Sequence, residues 1–139
     1  FKYLDFIIYI YSMVQKGCFL KVLDNSGAKI VYCIRIISNS NKRYATIGSL
    51  LLVSIKNLRT KRRFSSKVKA GSTVRALVVR SKISKNYFFG DNLTFFENSV
   101  VLLNKQNKLI GTRIFGLLPN SLRYTRLMRL LSVCAGTRS

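Results

Sequence analysis

Short apolar runs separated by polar turns set the pattern of this chain. The clearest runs are Ala28–Ile37, Ser49–Ile55 and Val74–Val79, each rich in the β-branched residues that favour strands. Gly17–Leu23 alternates more loosely and stops at Asp24–Gly27, which reads DNSG. Asp and Asn bond their own backbone and Gly supplies positive φ, so this stretch predicts a tight turn.

Two further short strands are predicted after the turn signal Gly90–Asn92. Leu93–Phe96 and Ser99–Leu103 lie on either side of Glu97 and Asn98. Short strands with a turn signal about every eight to twelve residues are typical of a small β-barrel or sandwich. The pattern therefore predicts an all-β protein.

One helix is predicted near the end of the chain. Pro119 suits the first turn of a helix, and leucines recur at helical spacing from Leu122 to about Leu131. Arg123, Arg126 and Arg129 are three residues apart, which puts them on one side of that helix. The final residues, 134–139, show no strong pattern.

The composition of the chain indicates what kind of partner it binds. The 139 residues are enough for one domain with its own core, and 48% of them are hydrophobic. Lys and Arg number 25 against four acids, which gives a formal net charge of +21. Such an excess is typical of a protein that binds a polyanion. Nucleic acid is the first candidate, and an anionic membrane surface is the second.

The charge is concentrated in an arm between two predicted core strands. Lys56–Lys69 reads KNLRTKRRFSSKVK, with seven basic residues and no acid. Like charges this close repel one another unless an anion lies among them. Three smaller basic clusters surround Lys42, Arg80 and Arg126. Affinity for nucleic acid grows with each phosphate that such residues neutralise. Solvated surface remains the alternative for any one cluster.

Other classes of function find little support. The chain has no His, no suggestively spaced pair of carboxylates and no phosphate-binding glycine loop, so we expect no enzyme and no cofactor. Cys18, Cys33 and Cys134 are not spaced for zinc, so we expect no metal and interpret them as reduced thiols. Phe6–Tyr11 is too short to span a bilayer, so we expect no membrane insertion.

Five segments stand out by their sequence and their order along the chain: Asp24–Lys29, Lys42–Ala45 with Gly48, Ala76–Arg80, Phe96–Asn104 and Gly111–Gly116. Together they resemble the universal large-subunit ribosomal protein L-14 (L fourteen) family. The match extends from about Met13 to Val133, and the combination of DNSGAK with GTRIFG is its most specific part.

The resemblance implies a fold: a small five-stranded β-barrel with a projecting basic β-ribbon and one or two short C-terminal helices. It also implies a structural role on large-subunit rRNA, at the face that meets the small subunit and its rRNA. Implied protein neighbours are ribosomal proteins of the L-3 and L-19 types and a ribosome-silencing factor. The residues carried over to that subunit-facing surface are Thr112, Arg113 and Arg129.

A further set of sixteen basic residues is expected to contact rRNA, by phosphate and shape more than by base sequence. Tyr44, Tyr87 and Phe88 are candidates for stacking on bases, although a place in the barrel is the simpler interpretation of each. The expected rRNA-binding residues are Lys29, Lys42, Arg43, Lys56, Arg59, Lys61, Arg62, Arg63, Lys67, Lys69, Arg75, Arg80, Lys82, Lys85, Arg123 and Arg126.

Departures from the family pattern point to an organelle. Acids that the family usually carries are replaced at Ser49, Ser72 and Phe89. The residue usage also resembles that of AT-rich genomes, and the sequence does not begin with Met. Together these features predict a mitochondrial protein, with another organelle or a bacterium as the alternative. We expect residues 1–12 to be an extension and residues 13–139 to be a single domain. A free-standing RNA-binding barrel is the competing hypothesis for function.

Overall fold

The structure is a computed structural model that describes residues 3–4, 14–37, 44–59, 66–82, 85–86, 92–93, 97–119 and 134–138. Apart from two helical residues, Tyr3 and Leu4, the elements in this part of the chain are strands. They are β1 (Val14–Gln15), β2 (Phe19–Val22), β3 (Ala28–Ile36), β4 (Tyr44–Ala45), β5 (Leu50–Leu58), β6 (Thr73–Arg80), β7 (Lys85–Asn86), β8 (Asn92–Leu93), β9 (Ser99–Leu103), β10 (Ile114–Pro119) and β11 (Cys134–Arg138).

Five of these strands form a closed barrel in the order β2-β3-β5-β6-β9. Neighbours in the barrel are antiparallel except β2 and β9, which close it as a parallel pair with Lys21 opposite Ser99. The all-β prediction and the five-stranded barrel are therefore confirmed. The basic arm leaves from β5, which runs three residues beyond the predicted end at Ile55.

Alternate residues of the barrel strands fill its interior, as expected from the two-residue period of a strand. Leu20, Val31, Val53, Val78 and Leu102 belong to this buried cluster. β6 and β9 are also buried on their outer faces, which explains their unbroken apolar sequences.

The outer faces of β6 and β9 are covered by β10. Ile114 and Leu118 of β10 join Leu77, Val79 and Val101 in a second buried cluster. This packing fixes β10, and the turn before it, against one side of the barrel.

The C-terminal residues correct one expectation and leave another untested. Pro119 ends strand β10, whereas the sequence placed it in the first turn of a helix. The rest of that predicted helix, residues 120–131, lies outside the described residues. Cys134–Arg138, where no pattern was found, forms β11 and pairs parallel with β10. Tertiary pairing, and not local propensity, makes this strand.

Candidate nucleic-acid interface

The DNSG turn is held by the buried carboxylate of Asp24. The side chain of Asp24 is 1% exposed. Its Oδ1 accepts hydrogen bonds from the Ser26 amide at 3.2 Å and the Ser26 hydroxyl at 2.5 Å, and its Oδ2 accepts one from the Leu102 amide at 3.1 Å. Burial raises the pKa of Asp24, and these hydrogen bonds and Arg59 oppose that rise. One carboxylate therefore ties the turn to β9.

Asn25 joins this turn to the GTRIFG segment, 87 residues later. The Oδ1 atom of Asn25 accepts hydrogen bonds from the Thr112 amide at 2.8 Å and the Arg113 amide at 3.2 Å. Its Nδ2 donates to the Thr112 hydroxyl at 2.9 Å, and its backbone amide donates to the Arg113 carbonyl at 3.3 Å. The two most specific motifs of the sequence thus form one joint.

Both ends of the basic arm rest on the same turn. The Arg59 amide donates to the Gly27 carbonyl at 2.8 Å, and the Lys67 amide donates to the Ser26 carbonyl at 2.9 Å. Gly27 has φ +104°, and a Cβ at this position would lie 2.5 Å from the Cβ of Ser66. Glycine is therefore needed for both the turn and the close approach of the arm. We call residues 24–27, 59, 66–67 and 111–113 the joint.

Two of the predicted rRNA-binding arginines make contacts within the protein. The guanidinium of Arg59 lies 5.2 Å from the centre of the Phe115 ring, and its Nη2 donates to the Val22 carbonyl at 3.4 Å. Nε of Arg80 donates to the Leu117 carbonyl at 2.9 Å. Burial lowers the pKa of Arg80, and Glu97 opposes that change.

Gly116 makes room for Arg80. A side chain at this position would collide with the Arg80 guanidinium, whose Nη2 also donates to the Phe115 carbonyl at 3.4 Å. Arg59 and Arg80 therefore tie β10 to the barrel. Their role toward rRNA stays a prediction.

Several other predicted residues present their side chains to solvent. Lys67 is exposed but donates through Nζ to the Ile110 carbonyl at 3.2 Å. Arg75 is half-buried, with Nη1 donating to Oδ1 of Asn107 at 3.0 Å. The exposed members of the predicted sets are Lys29, Lys56, Lys67, Lys69, Lys82, Thr112 and Arg113.

Acids do little to neutralise this surface. In the part of the chain that the structure describes, the acids are Asp24 and Glu97. Asp24 is buried in the joint, and Glu97 pairs with Lys21 at 3.3 Å. That ion pair is solvent-exposed, so its contribution to stability is small. These acids therefore do not neutralise Arg113 of the joint or the exposed residues Lys67 and Lys69, which we call the arm base.

An aromatic pair on the barrel was missed by the sequence reasoning. Phe19 is 65% exposed and meets the Tyr32 ring edge-on, with ring centres 5.4 Å apart. The ammonium of Lys56 lies 5.5 Å from the centre of the Tyr32 ring. Only the pairing of β3 with both β2 and β5 brings these residues together, so the sequence carried no local signal. Of the aromatic residues named earlier, Tyr44 is 41% exposed.

The other predicted site residues are not placed by the structure. Tyr87 and Phe88 lie outside the described residues, and only the backbone of Lys85 is described, in β7. The predicted basic site residues outside the described ranges are Lys42, Arg43, Lys61, Arg62, Arg63, Arg123, Arg126 and Arg129.

No cluster of three or more possible metal-binding side chains occurs within the described residues. In the same residues, no helix has the length and apolar character needed to cross a bilayer.

The fold and the joint define a class: a small closed β-barrel with a cationic arm based on an interlocked pair of turns. A family model described as ribosomal protein L14p/L23e matches residues 13–137. A similar protein is "Large ribosomal subunit protein uL14" of Carsonella ruddii (strain PV), 38% identical over 121 residues. The alignment covers 87% of this chain and 96% of that protein. The chain belongs to the L14p/L23e family of ribosomal proteins, and the resemblance found in its sequence is confirmed.

Proposed function

We propose that this chain is a structural constituent of the large ribosomal subunit and that it binds large-subunit rRNA through phosphate contacts. The observation that carries the proposal is the exposed basic surface at the arm base and joint, combined with the engagement of Asp24 and Glu97 elsewhere. Family membership supports the ribosomal assignment. The family is one of structural ribosomal proteins, and we propose no catalytic role, no cofactor and no small-molecule substrate.

The arm base has the geometry of a phosphate-binding element. Lys67 and Lys69 are exposed; the amide of Lys67 makes the contact with the turn, and Lys69 is two residues further on. Because that contact fixes the backbone, these side chains lose less conformational freedom when they bind an anion. Neutralising each phosphate releases counterions from the RNA, so binding depends on salt.

Removing two charges at the arm base is expected to weaken RNA binding and flatten its salt dependence. For Lys67→Gln with Lys69→Gln, the slope of log affinity against log salt should fall by about 0.7–0.9 for each phosphate that the variant no longer neutralises. The slope is measured by titrating the full chain with a large-subunit rRNA fragment. Lys105→Gln with Lys108→Gln removes the same charge from the exposed 104–108 loop and is the matched control. Equal slopes for the two double variants would contradict the proposed role of the arm base.

We propose that Thr112 and Arg113, with Arg129, face the small subunit and its rRNA or a ribosome-silencing factor. Asn25 binds the backbone of Thr112 and Arg113 and the Thr112 hydroxyl, while both residues remain exposed. The joint thus holds them outward on a fixed turn. Ribosomal proteins of the L-3 and L-19 types are the proposed protein neighbours within the large subunit.

Reversing the charge at Arg113 is expected to reduce subunit joining without removing the chain from the large subunit. Arg113→Glu places a carboxylate where we propose an rRNA or acidic partner. Gradient sedimentation of particles carrying the tagged variant measures both quantities, and Lys105→Glu, in the exposed 104–108 loop outside the predicted sites, is the charge-matched control. Unchanged joining for Arg113→Glu would overturn this assignment.

The mitochondrion is the proposed compartment, on the basis of the acid-poor composition and AT-rich residue usage. The relative named above comes from a bacterium, and a bacterial ribosome is the alternative. Mass spectrometry of purified organelles from the source cell decides between them, because absence from the mitochondrial fraction would reject the proposal.

A further inference from the structure

Cys18 and Cys33 face each other where the turn before β2 meets β3. Phe19 pairs with Tyr32, so the next step of the antiparallel register sets Cys18 opposite Cys33. The Cys33 amide donates to the Cys18 carbonyl at 2.9 Å, and the Gly17 amide donates to the Cys33 carbonyl at 2.8 Å. Gly17 and Cys18 thus both lie opposite Cys33, which is the arrangement of a β-bulge.

Residues paired in this way lie at a separation that a disulfide can span. Residues directly opposite in an antiparallel pair have Cα atoms about 4.5–5.5 Å apart, and disulfides span Cα separations of about 4.4–6.8 Å. Cys18 also packs against the buried cluster to which Cys33 belongs. No change of backbone register is needed for the sulfurs to join.

The two thiols differ in access. Cys18 is half-buried, next to the exposed Gly17 and Phe19, whereas Cys33 is buried in the barrel interior. A small oxidant in solution therefore reaches the sulfur of Cys18 first. Cys33 can react only through Cys18.

We propose that Cys18 and Cys33 form a redox site that closes to a disulfide when a peroxide oxidises Cys18. The Cys18 thiolate attacks one peroxide oxygen, the O–O bond breaks, and the hydroxide that leaves takes a proton to become water. The resulting sulfenic acid is attacked by the sulfur of Cys33. The S–S bond forms, the S–O bond breaks, and the Cys33 proton leaves with the hydroxyl group as a second water. Two thiols and one hydrogen peroxide thus give one disulfide and two waters.

The electrostatics of the pair suit this order of events. The hydrogen bond from the Cys33 thiol lowers the pKa of Cys18 to about 7, so much of Cys18 is thiolate near neutral pH. The same hydrogen bond, burial and the charge of the Cys18 thiolate raise the pKa of Cys33, which stays a thiol until Cys18 is oxidised. Oxidation removes the charge of Cys18, so Cys33 can then give up its proton as its sulfur attacks the sulfenic acid. Cys18 is the thiol that reacts with the oxidant, and Cys33 is the one that resolves the sulfenic acid.

Peroxide treatment of the full chain, purified in reductant, tests the proposal. After alkylation and digestion, mass spectrometry should find a peptide pair linked through Cys18 and Cys33, lighter than the reduced peptides by two hydrogen atoms. Two of the three thiols present in the chain should resist alkylation. Cys134→Ser is the control and should form the same link.

A second variant separates loss of the reaction from loss of the fold. Cys18→Ser replaces a half-buried thiol with a group of similar size and should leave Cys33 as a free thiol after peroxide treatment. In the wild-type chain, the rate of Cys18 alkylation should rise with pH through a midpoint at about 7. The proposal is overturned if both thiols remain alkylatable after peroxide, if Cys18 stops at a sulfenic or sulfinic acid, or if the link found involves Cys134.

Discussion

Asp24→Ala is expected to lower the free energy of unfolding by about 3–5 kcal/mol, the largest effect of any single side chain in the joint. The substitution removes three hydrogen bonds at once and leaves the buried amides of Ser26 and Leu102 without their acceptor. Each orphaned buried group costs roughly 1–3 kcal/mol. Relief of the cost of burying the carboxylate offsets part of this loss. Denaturant unfolding of the full chain measures the difference.

Two milder variants check the reason for this effect. Ser26→Ala removes only the hydroxyl donor to Asp24 and should cost about 1 kcal/mol. Asp24→Asn keeps one oxygen acceptor but turns its amide group toward a backbone donor. Its loss of unfolding free energy should therefore lie between those of Ser26→Ala and Asp24→Ala. If Asp24→Ala costs no more than Ser26→Ala, the carboxylate does not hold the turn to β9.

The difference in stability between the wild type and Asp24→Asn is expected to change with pH in one direction. Because burial raises the pKa of Asp24, the ionised form is disfavoured in the folded state relative to the unfolded chain. The contribution of Asp24 to stability is therefore fully present below its ordinary pKa and falls as pH rises through the raised value. The free energy of unfolding of the wild type should therefore rise relative to that of Asp24→Asn as the pH is lowered.

Gly27→Ala is expected to cost about 2–4 kcal/mol and to displace the arm from the turn. A Cβ at this position meets Ser66 Cβ at 2.5 Å and the Ser66 backbone at 3.0 Å, so the arm has to move. The positive φ adds roughly 1–2 kcal/mol of strain for any residue with a side chain. Hydrogen exchange at the Lys67 amide, which bonds to the Ser26 carbonyl, reports the displacement.

Gly71→Ala is the matched control for this prediction. Gly71 has φ +80°, and a Cβ there would meet nothing within 4 Å. This variant therefore incurs only the conformational strain, about 1–2 kcal/mol, and should leave the Lys67 amide protected. An equal cost for the two variants would show that contact with Ser66 does not require glycine at position 27.

Local pattern was enough to predict the barrel strands. Ala28–Ile36 and Ser99–Leu103 are β-branched, apolar and bounded by turn residues, so their strands follow from propensity and burial. Strand β11 could not be predicted, because CAGTR has little strand propensity and depends on its parallel pairing with β10.

The candidate site could be predicted only in part, because it also depends on contacts between residues far apart in the sequence. DNSG predicted a turn, and the net charge predicted a polyanionic partner. Nothing in the local sequence indicated that Asn25 would bind Thr112. Charge alone also could not separate Arg59, which lies on Phe115, from Lys69, which is exposed. The contact between Cys18 and Cys33 likewise follows only from strand register. Long-range pairing decides which basic side chains hold the fold and which remain on the surface.

Native recovery of the tagged chain is the sharpest test of whether it is a constituent of the large subunit bound to its rRNA. We expect the chain to sediment with the large subunit and large-subunit rRNA to be recovered with it at low salt. Recovery of the chain without that rRNA, or in a fraction free of ribosomal particles, would contradict the proposed function.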